Sequence, residues 1–237
     1  MELLLGIDDT DSLDSDHGTG QVSRDLGAEL AAEHGVEFVA SIRQQFLVDP
    51  DVPYTTHNSA ACLVFAADDP PTEAIIDDAG DYLVDVMADV ADPGLCVAPS
   101  AAVPDDVVEF GRRAGEEVLE KREAYEVAAT AGEALFLDEY GGTGDGVIGA
   151  LAAVGLTAAG DHGRYISYGN IRQYDERVTA GQLRADGIEL RAEDGSSIPD
   201  DATVYTHNWI RPQRRDGRPV LPLVTDRDGW EPANRSE

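Results

Sequence analysis

The chain has 237 residues, 42% of them hydrophobic, with 47 acidic side chains against 17 basic ones and a net charge of -30. That much apolar sequence can bury a sizeable core, so the charge does not signal a disordered chain. It does argue against a free-standing nucleic-acid binder, whose affinity would rest on cationic contacts to phosphate.

Lys121 is the only lysine, and the acidic residues are spread along the whole sequence instead of forming a tail. This is the habit of salt-in halophiles, so the acidity points to a halophilic habitat before it points to a partner. Cys62 and Cys96 lie on separate predicted strands without a CxxC pair, which indicates two core thiols and neither a zinc ribbon nor a disulfide framework. The opening MELLLGIDD lacks a basic n-region and its apolar run is too short to span a membrane, so a cytoplasmic protein is expected.

In chain order, ELLLGI reads as a short buried strand. GQVSRDLGAELAAEHG follows as an amphipathic helix, with Val22, Leu26 and Leu30 on its apolar side and Gly35 at its end. VEFVASIRQQFLV alternates as a second strand and AACLVFAA forms a third. PTEAIIDDAGDYLVDVMADVA is a helix opened by proline and stopped before Pro93, and LCVA closes the set. The order β-α-β-β-α-β predicts an α+β fold of the ferredoxin-like type, with two helices on one face of an antiparallel sheet.

Residues 104–128 then read as one long charged helix, and 141–160 as a glycine-rich turn running into a buried apolar helix. After Gly163 come short strands, with Asp-Gly pairs at 186–187, 194–195, 216–217 and 228–229, which predict a small β-rich C-terminal region. The expected division is 1–160 and 161–237.

The first strand ends in GIDDTDSLDSDHGTGQ. Side chains at the C-terminal end of such a strand project into the crevice where α/β folds bind ligands. Asp8, Asp9 and Asp11 would repel one another if gathered there without a cation, whereas Mg²⁺ takes one or two carboxylates and completes its shell with water and phosphate oxygens. They are therefore candidate metal ligands at a Mg²⁺–ATP site. The bland alternative is a helix cap, an Asx turn and halophile surface. Gly18 and Gly20 flank Thr19 just before the first helix, where backbone amides can approach a phosphate; a helix cap by Thr19 explains the same residues.

Gly142, Thr143, Gly144 and Gly146 form a second glycine-rich turn that would complete a phosphate or ribose cradle, with Asp145 as a further ligand or merely a helix cap. The loop between the second and third strands carries Tyr54, Thr55, Thr56, His57 and Asn58, with Arg43 before it, a donor-rich set suited to substrate contact or to an ordinary hairpin connection. His207, Asn208, Trp209, Arg211, Arg214 and Arg215 make the one locally basic segment, suited to phosphate or to the chain's own carboxylates, and in so acidic a chain internal ion pairing is the expectation.

GIDDTDS, DPDVPYTTHNSAACLVF, the DPG at 92–94 and GVIGALAAVG stand in the same order as similar segments of the archaeal isoleucine-tRNA agmatidine synthetase family, which this sequence resembles over roughly its first two-thirds. The resemblance implies an ATP-dependent, kinase-like activation of a tRNA cytidine for attack by agmatine. It places Mg²⁺ and ATP at Asp8, Asp9 and Asp11 near Gly142, Gly144 and Gly146. Thr19 is the counterpart offered for the family's reactive threonine, although HGTGQ differs from the family's Gly-Met-Cys-Thr-Thr stretch. The family's OB fold and zinc ribbon find no room here, so a shortened homologue is expected, either acting on another substrate or reaching tRNA only with a partner chain.

Two other readings stand beside this one. In the first, the chain is a non-catalytic nucleotide- or agmatine-binding module, or a subunit of an RNA-modification complex. In the second, IDDTDSL is a haloacid-dehalogenase-type nucleophile loop with Asp9 phosphorylated, against which stand the leucine after Ser12 and the lack of an acidic partner in GDGVIG.

Overall fold

The computed structural model describes residues 1–10, 18–50, 58–88, 91–226 and 228–233. The chain divides into two compact units, Met1–Ala159 and Gly160–Glu237.

The first unit runs β1 (Glu2–Asp8), α1 (Thr19–His34), β2 (Glu37–Gln45), β3 (Ser59–Ala66), α2 (Thr72–Val86), β4 (Gly94–Pro99), α3 (Asp105–Arg113), α4 (Lys121–Ala128), β5 (Phe136–Glu139) and α5 (Gly146–Ala159). Its first six elements follow the predicted β-α-β-β-α-β order. The strands pair antiparallel in the spatial order β5-β4-β1-β3-β2, so the ferredoxin-like sheet gains β5 at the β4 edge.

Alternation along β1 sorts the two faces. Leu3, Leu5 and Ile7 join Val22, Leu26 and Leu30 of α1 and Ile75, Ala79 and Leu83 of α2 in one buried cluster. The opposite face is covered by α5. It lies so close that a β-carbon on Gly6 would stand 2.3 Å from the Ala150 carbonyl oxygen, and one on Gly94 would stand 2.2 Å from the backbone of Gly146. Cys62 and Cys96 flank Gly6 in register, one on each neighbouring strand, and both are buried free thiols. Two strand spacings, about 9.6 Å, separate their backbones, beyond the reach of a disulfide. Burial and the neighbouring Cys62 raise the Cys96 thiol pKa well above its ordinary value.

The long charged helix expected over 104–128 is two helices. After α3 the chain turns at Ala114–Gly115, with the amides of Glu116 and Glu117 both bonding to the Arg113 carbonyl, and Leu119 turns inward to 8% exposure before α4 begins. A continuous helix would lack that inward step, and Gly115 weakens the helix where it ends. Arg113 ties the halves together through ion pairs to Glu117 and to Glu123 of α4. The first helix also differs in one detail: its N-cap is Gly18, without a side-chain cap, so Thr19 is the first helical residue and not the cap. At the other end Gly35 takes the left-handed φ of 66° expected of a helix-stopping glycine.

The second unit holds β6 (Arg164–Tyr168), β7 (Arg177–Thr179), α6 (Ala180–Ala185), β8 (Glu189–Ala192), β9 (Thr203–Tyr205), β10 (Gln213–Arg215), β11 (Arg218–Asp226) and β12 (Gly229–Pro232). It is the expected small β-rich region. Its strands run β6-β10-β11-β12-β9-β7, and β8 lies parallel to the middle of β11. Asp216 and Gly217, at φ 48° and 73°, form the two-residue turn of the β10–β11 hairpin, where Arg215 pairs with Arg218. Thr179 and Gln182 cap α6 reciprocally.

Candidate active site at the tip of the first strand

Where β1 ends, the chain leaves the sheet through Asp9, which adopts a left-handed φ of 52°. A non-glycine residue seldom does so, and aspartate tolerates it better than most. Asp8 is the last strand residue, in register with Gly94 of β4. Its half-buried carboxylate points to the α5 face, where a β-carbon on Gly149 would come within 1.7 Å of Oδ2. Thr10, only 2% exposed, donates its Oγ1 to Thr19 Oγ1 at 3.1 Å and accepts from the Ala88 amide through its carbonyl. The strand tip thus lies against the first turn of α5 at Asp8 and is tied to the first turn of α1 through Thr10.

Those two helix starts share an electrostatic feature. Neither has an acidic residue in its first turn, whereas α2 carries Glu73, α3 carries Asp105 and Asp106, and α4 carries Glu123 there. The positive ends of the α1 and α5 dipoles are therefore not neutralised by their own first turns, and both favour a negative group.

The second glycine-rich turn has a different local logic. Gly142 and Gly144 take left-handed φ values of 48° and 73°. A carboxylate of the chain itself is already bound there: Asp92 accepts from the Thr143 amide at 2.9 Å and from Thr143 Oγ1 at 2.7 Å. Lys121 Nζ bridges Glu139 Oε2 at 2.7 Å and the Thr143 carbonyl at 2.6 Å, and the Glu139 hydrogen bond holds its ammonium pKa up. Gly146 donates to the Asp92 carbonyl at 3.2 Å as α5 begins. Asp145 is exposed, and its charge acts on Lys121.

Arg43 lies in one row with Ala61 of β3 and Ile7 of β1, on the α1 side of the sheet, and donates to Ser59 Oγ at 3.0 Å and Gln45 Oε1 at 2.9 Å. Asn58 closes the β2–β3 connection: its Nδ2 donates to the Leu47 carbonyl at 2.6 Å and its carbonyl accepts from the Phe46 amide at 2.9 Å. Asp11, Tyr54, Thr55, Thr56 and His57 lie outside the described residues.

In the second unit the basic segment is held by aromatic and carbonyl groups. Arg172 and Arg211 stack on Trp209 at 4.2 and 4.0 Å, and buried Arg214 donates to the Tyr165 hydroxyl at 2.9 Å and the Gly217 carbonyl at 3.2 Å. Burial, with Arg164 and Arg172 nearby, lowers the pKa of the Arg211 guanidinium. Among the described residues no helix is long and apolar enough to cross a membrane.

Thr10, Asp92 and Gly149 have no place among the sequence-derived candidates, yet they position Asp8, Thr143 and the strand tip. Each lies in a segment that carries the resemblance, Thr10 in GIDDTDS, Asp92 in DPG and Gly149 in GVIGALAAVG, but no local pattern marks the residue itself.

No protein-family model matches the chain, and no curated protein matches it. Solved structures do. The chain is similar to apo TiaS (tRNAIle2 agmatidine synthetase) at 25% identity and a TM-score of 0.53, over 65% of this chain and 35% of that one. It is similar to TiaS in complex with its isoleucine tRNA and ATP at 26% identity and a TM-score of 0.53, over 65% and 36%. The TiaS complex with the same tRNA, AMPCPP and agmatine shares the fold at 21% identity and a TM-score of 0.53, over 78% and 44%. This chain thus spans about a third of the length of the first two proteins. The likeness read from the residues and the likeness read from the fold are to the same protein, tRNAIle2 agmatidine synthetase, over about a third of its length.

Proposed function

We propose that the chain binds ATP with Mg²⁺ at the tip of β1 and activates an oxygen of an acceptor by phosphoryl transfer, for displacement by an amine. The observation that carries this reading is the placement of the Asp8 carboxylate between the strand end and the first turn of α5, with a second acid-free helix start, that of α1, fastened beside it.

The donor set suits the group. Asp8 and Asp9 offer hard carboxylate oxygens of the kind Mg²⁺ prefers, and Asp11 follows in sequence. Mg²⁺, when bound with ATP, neutralises phosphate charge and polarises the group transferred. Asp8 and Asp9 hold the metal side of the nucleotide. The helix starts at Gly18–Gly20 and Gly146 orient phosphate oxygens through their dipoles and amides, and Asp92 keeps the Thr143 turn in shape beside them. Thr19 presents a hydroxyl next to the same strand tip, held by Thr10.

The acceptor and amine follow from the likeness: solved neighbours carry an isoleucine tRNA, ATP or AMPCPP, and agmatine. A tRNA cytidine and agmatine are the first substrates to supply. Arg43 and the loop after Leu47, which includes Tyr54, Thr55, Thr56, His57 and Asn58, form the substrate side in this proposal.

The test is labelled-ATP turnover in molar KCl with Mg²⁺, agmatine and total archaeal tRNA, comparing the native chain with Asp8→Asn and Asp9→Asn. Turnover lost in both variants, with circular dichroism unchanged, is expected. Full turnover in both would reject the site. ATP binding without turnover for any acceptor would leave a nucleotide-binding module in its place.

A further inference from the structure

At the far end of α1 from Thr19, about 22 Å away at the helical rise of 1.5 Å per residue, a second group of donors collects. The side chain of His34 is only 9% exposed, and its Nε2 lies 2.8 Å from Asp78 Oδ2 of α2. That is ion-pair distance, yet Nε2 makes no hydrogen bond and is sealed from solvent. At 2.8 Å the failure is one of direction, because the oxygen sits off the line an N–H would take. A buried nitrogen without a hydrogen-bond partner carries a desolvation cost that no hydrogen bond offsets. Glu33, the preceding helical residue, brings a third donor, and all three ligand atoms lie within 4.8 Å of one another.

We propose that Glu33, His34 and Asp78 form a binding site for a divalent transition ion of the Zn²⁺ class. An ion seated among them would stand on the imidazole lone pair and resolve the orphaned Nε2, and in a tetrahedral zinc site the nitrogen and oxygen ligands would lie about 3.3 Å apart. One imidazole and two carboxylates are too few oxygens for Ca²⁺ and the wrong chemistry for Mg²⁺, but they suit zinc with water in the fourth position. His34 is also the last residue of α1, where the helix dipole favours a cation. The ion would join the C-terminal end of α1 to α2. Its ligands are separate from those of the strand tip.

The test uses the full chain, stripped of metal, in molar KCl with excess Mg²⁺ to occupy hard oxygen sites. Zn²⁺ is titrated by calorimetry and Co²⁺ is added as a spectroscopic probe. One Zn²⁺ per chain is expected, with tetrahedral d–d bands for Co²⁺. His34→Gln should weaken zinc by more than about 100-fold, since losing a ligand exceeds the 10- to 100-fold cost of losing its support. Glu33→Gln, at an exposed position, should weaken it too while leaving the fold intact. Asp8→Asn should leave zinc binding unchanged, which separates this site from the nucleotide site. Absence of stoichiometric binding, or binding indifferent to both His34→Gln and Glu33→Gln, would overturn the proposal and leave an internal His34–Asp78 ion pair.

Discussion

Asp8 and Gly149 fit together with no room for a side chain between them: a methyl group on residue 149 would stand 1.7 Å from Asp8 Oδ2. The obstructing atom is the end of a side chain that can rotate, so Gly149→Ala should displace the carboxylate while leaving the backbone where it is. The expected result is a loss of Mg²⁺-dependent ATP binding comparable to that of Asp8→Asn, with a loss of stability at the low end of the about 1–3 kcal/mol that an added core methyl costs. Calorimetry with ATP beside urea denaturation checks both halves.

Gly6→Ala should do the reverse. Its β-carbon would meet the Ala150 carbonyl oxygen at 2.3 Å and Val154 at 3.0 Å, and a carbonyl inside a helix cannot swing aside. The helix must lift off the sheet, at a cost of about 1–3 kcal/mol or more. A lowered urea midpoint with an unchanged slope is expected; a midpoint equal to the native value would mean that α5 does not press on the sheet at this position.

These two glycines also mark how much of the fold and site was legible in the sequence. The ferredoxin-like order was readable because ELLLGI and AACLVFAA are short apolar runs and α1 and α2 carry helical periodicity, all local signals. The apolarity of 146–159 likewise announced a buried helix, but nothing local said that Gly6, Gly94 and Gly149 exist to let it approach. The break between α3 and α4 was missed because charges at helical spacing continue through 116–123, while the inward turn of Leu119 depends on tertiary packing. Asp8 could be proposed from its place at a strand end. The partnership of Asp92 with Thr143 could not, since it joins residues 51 apart.

Asp92→Ala should loosen the glycine-rich turn by removing both hydrogen bonds that hold Thr143. Lys121 would remain on the Thr143 carbonyl, so the turn should become mobile without unfolding. Faster amide exchange at 141–145, with exchange in β1 and β3 unchanged, is the expected signature. In the proposed nucleotide site the same change should weaken ATP severalfold, and unaltered ATP affinity would remove this turn from the cradle.

A net charge of -30 makes self-repulsion a term in the stability of the whole chain. Raising KCl from 0.1 M to 1 M shortens the Debye length from about 10 Å to about 3 Å, which screens repulsion between neighbouring surface carboxylates. Thermal midpoints should therefore climb steeply over that range. The exposed ion pairs, such as Arg122–Glu126, are too weak to reverse the trend. A midpoint that falls with KCl would show that favourable pairs outweigh the repulsion.

Tyr140 supplies a pH test of the first unit. Its ring packs against α2, where a β-carbon on Gly80 would come within 2.6 Å of it, and its amide bonds to the Pro93 carbonyl at 2.8 Å. Burial, reinforced by Asp138, Asp77 and Asp81, pushes the phenol pKa from 10.0 up to about 12. Below pH 10 the phenol is protonated in both folded and unfolded chains and contributes nothing to pH dependence. Between pH 10 and about 12 the unfolded chain releases the proton first, so it binds fewer protons than the folded one and stability falls as pH rises. Tyr82 and Tyr125 are shifted in the same direction by burial and nearby carboxylates, and they steepen the decline. Tyr140→Phe keeps the ring and deletes the ionisation. Denaturation midpoints followed from about pH 9 to 12 should decline less steeply in the variant than in the native chain; parallel declines would place the Tyr140 hydroxyl in an environment no less watery than that of the unfolded state.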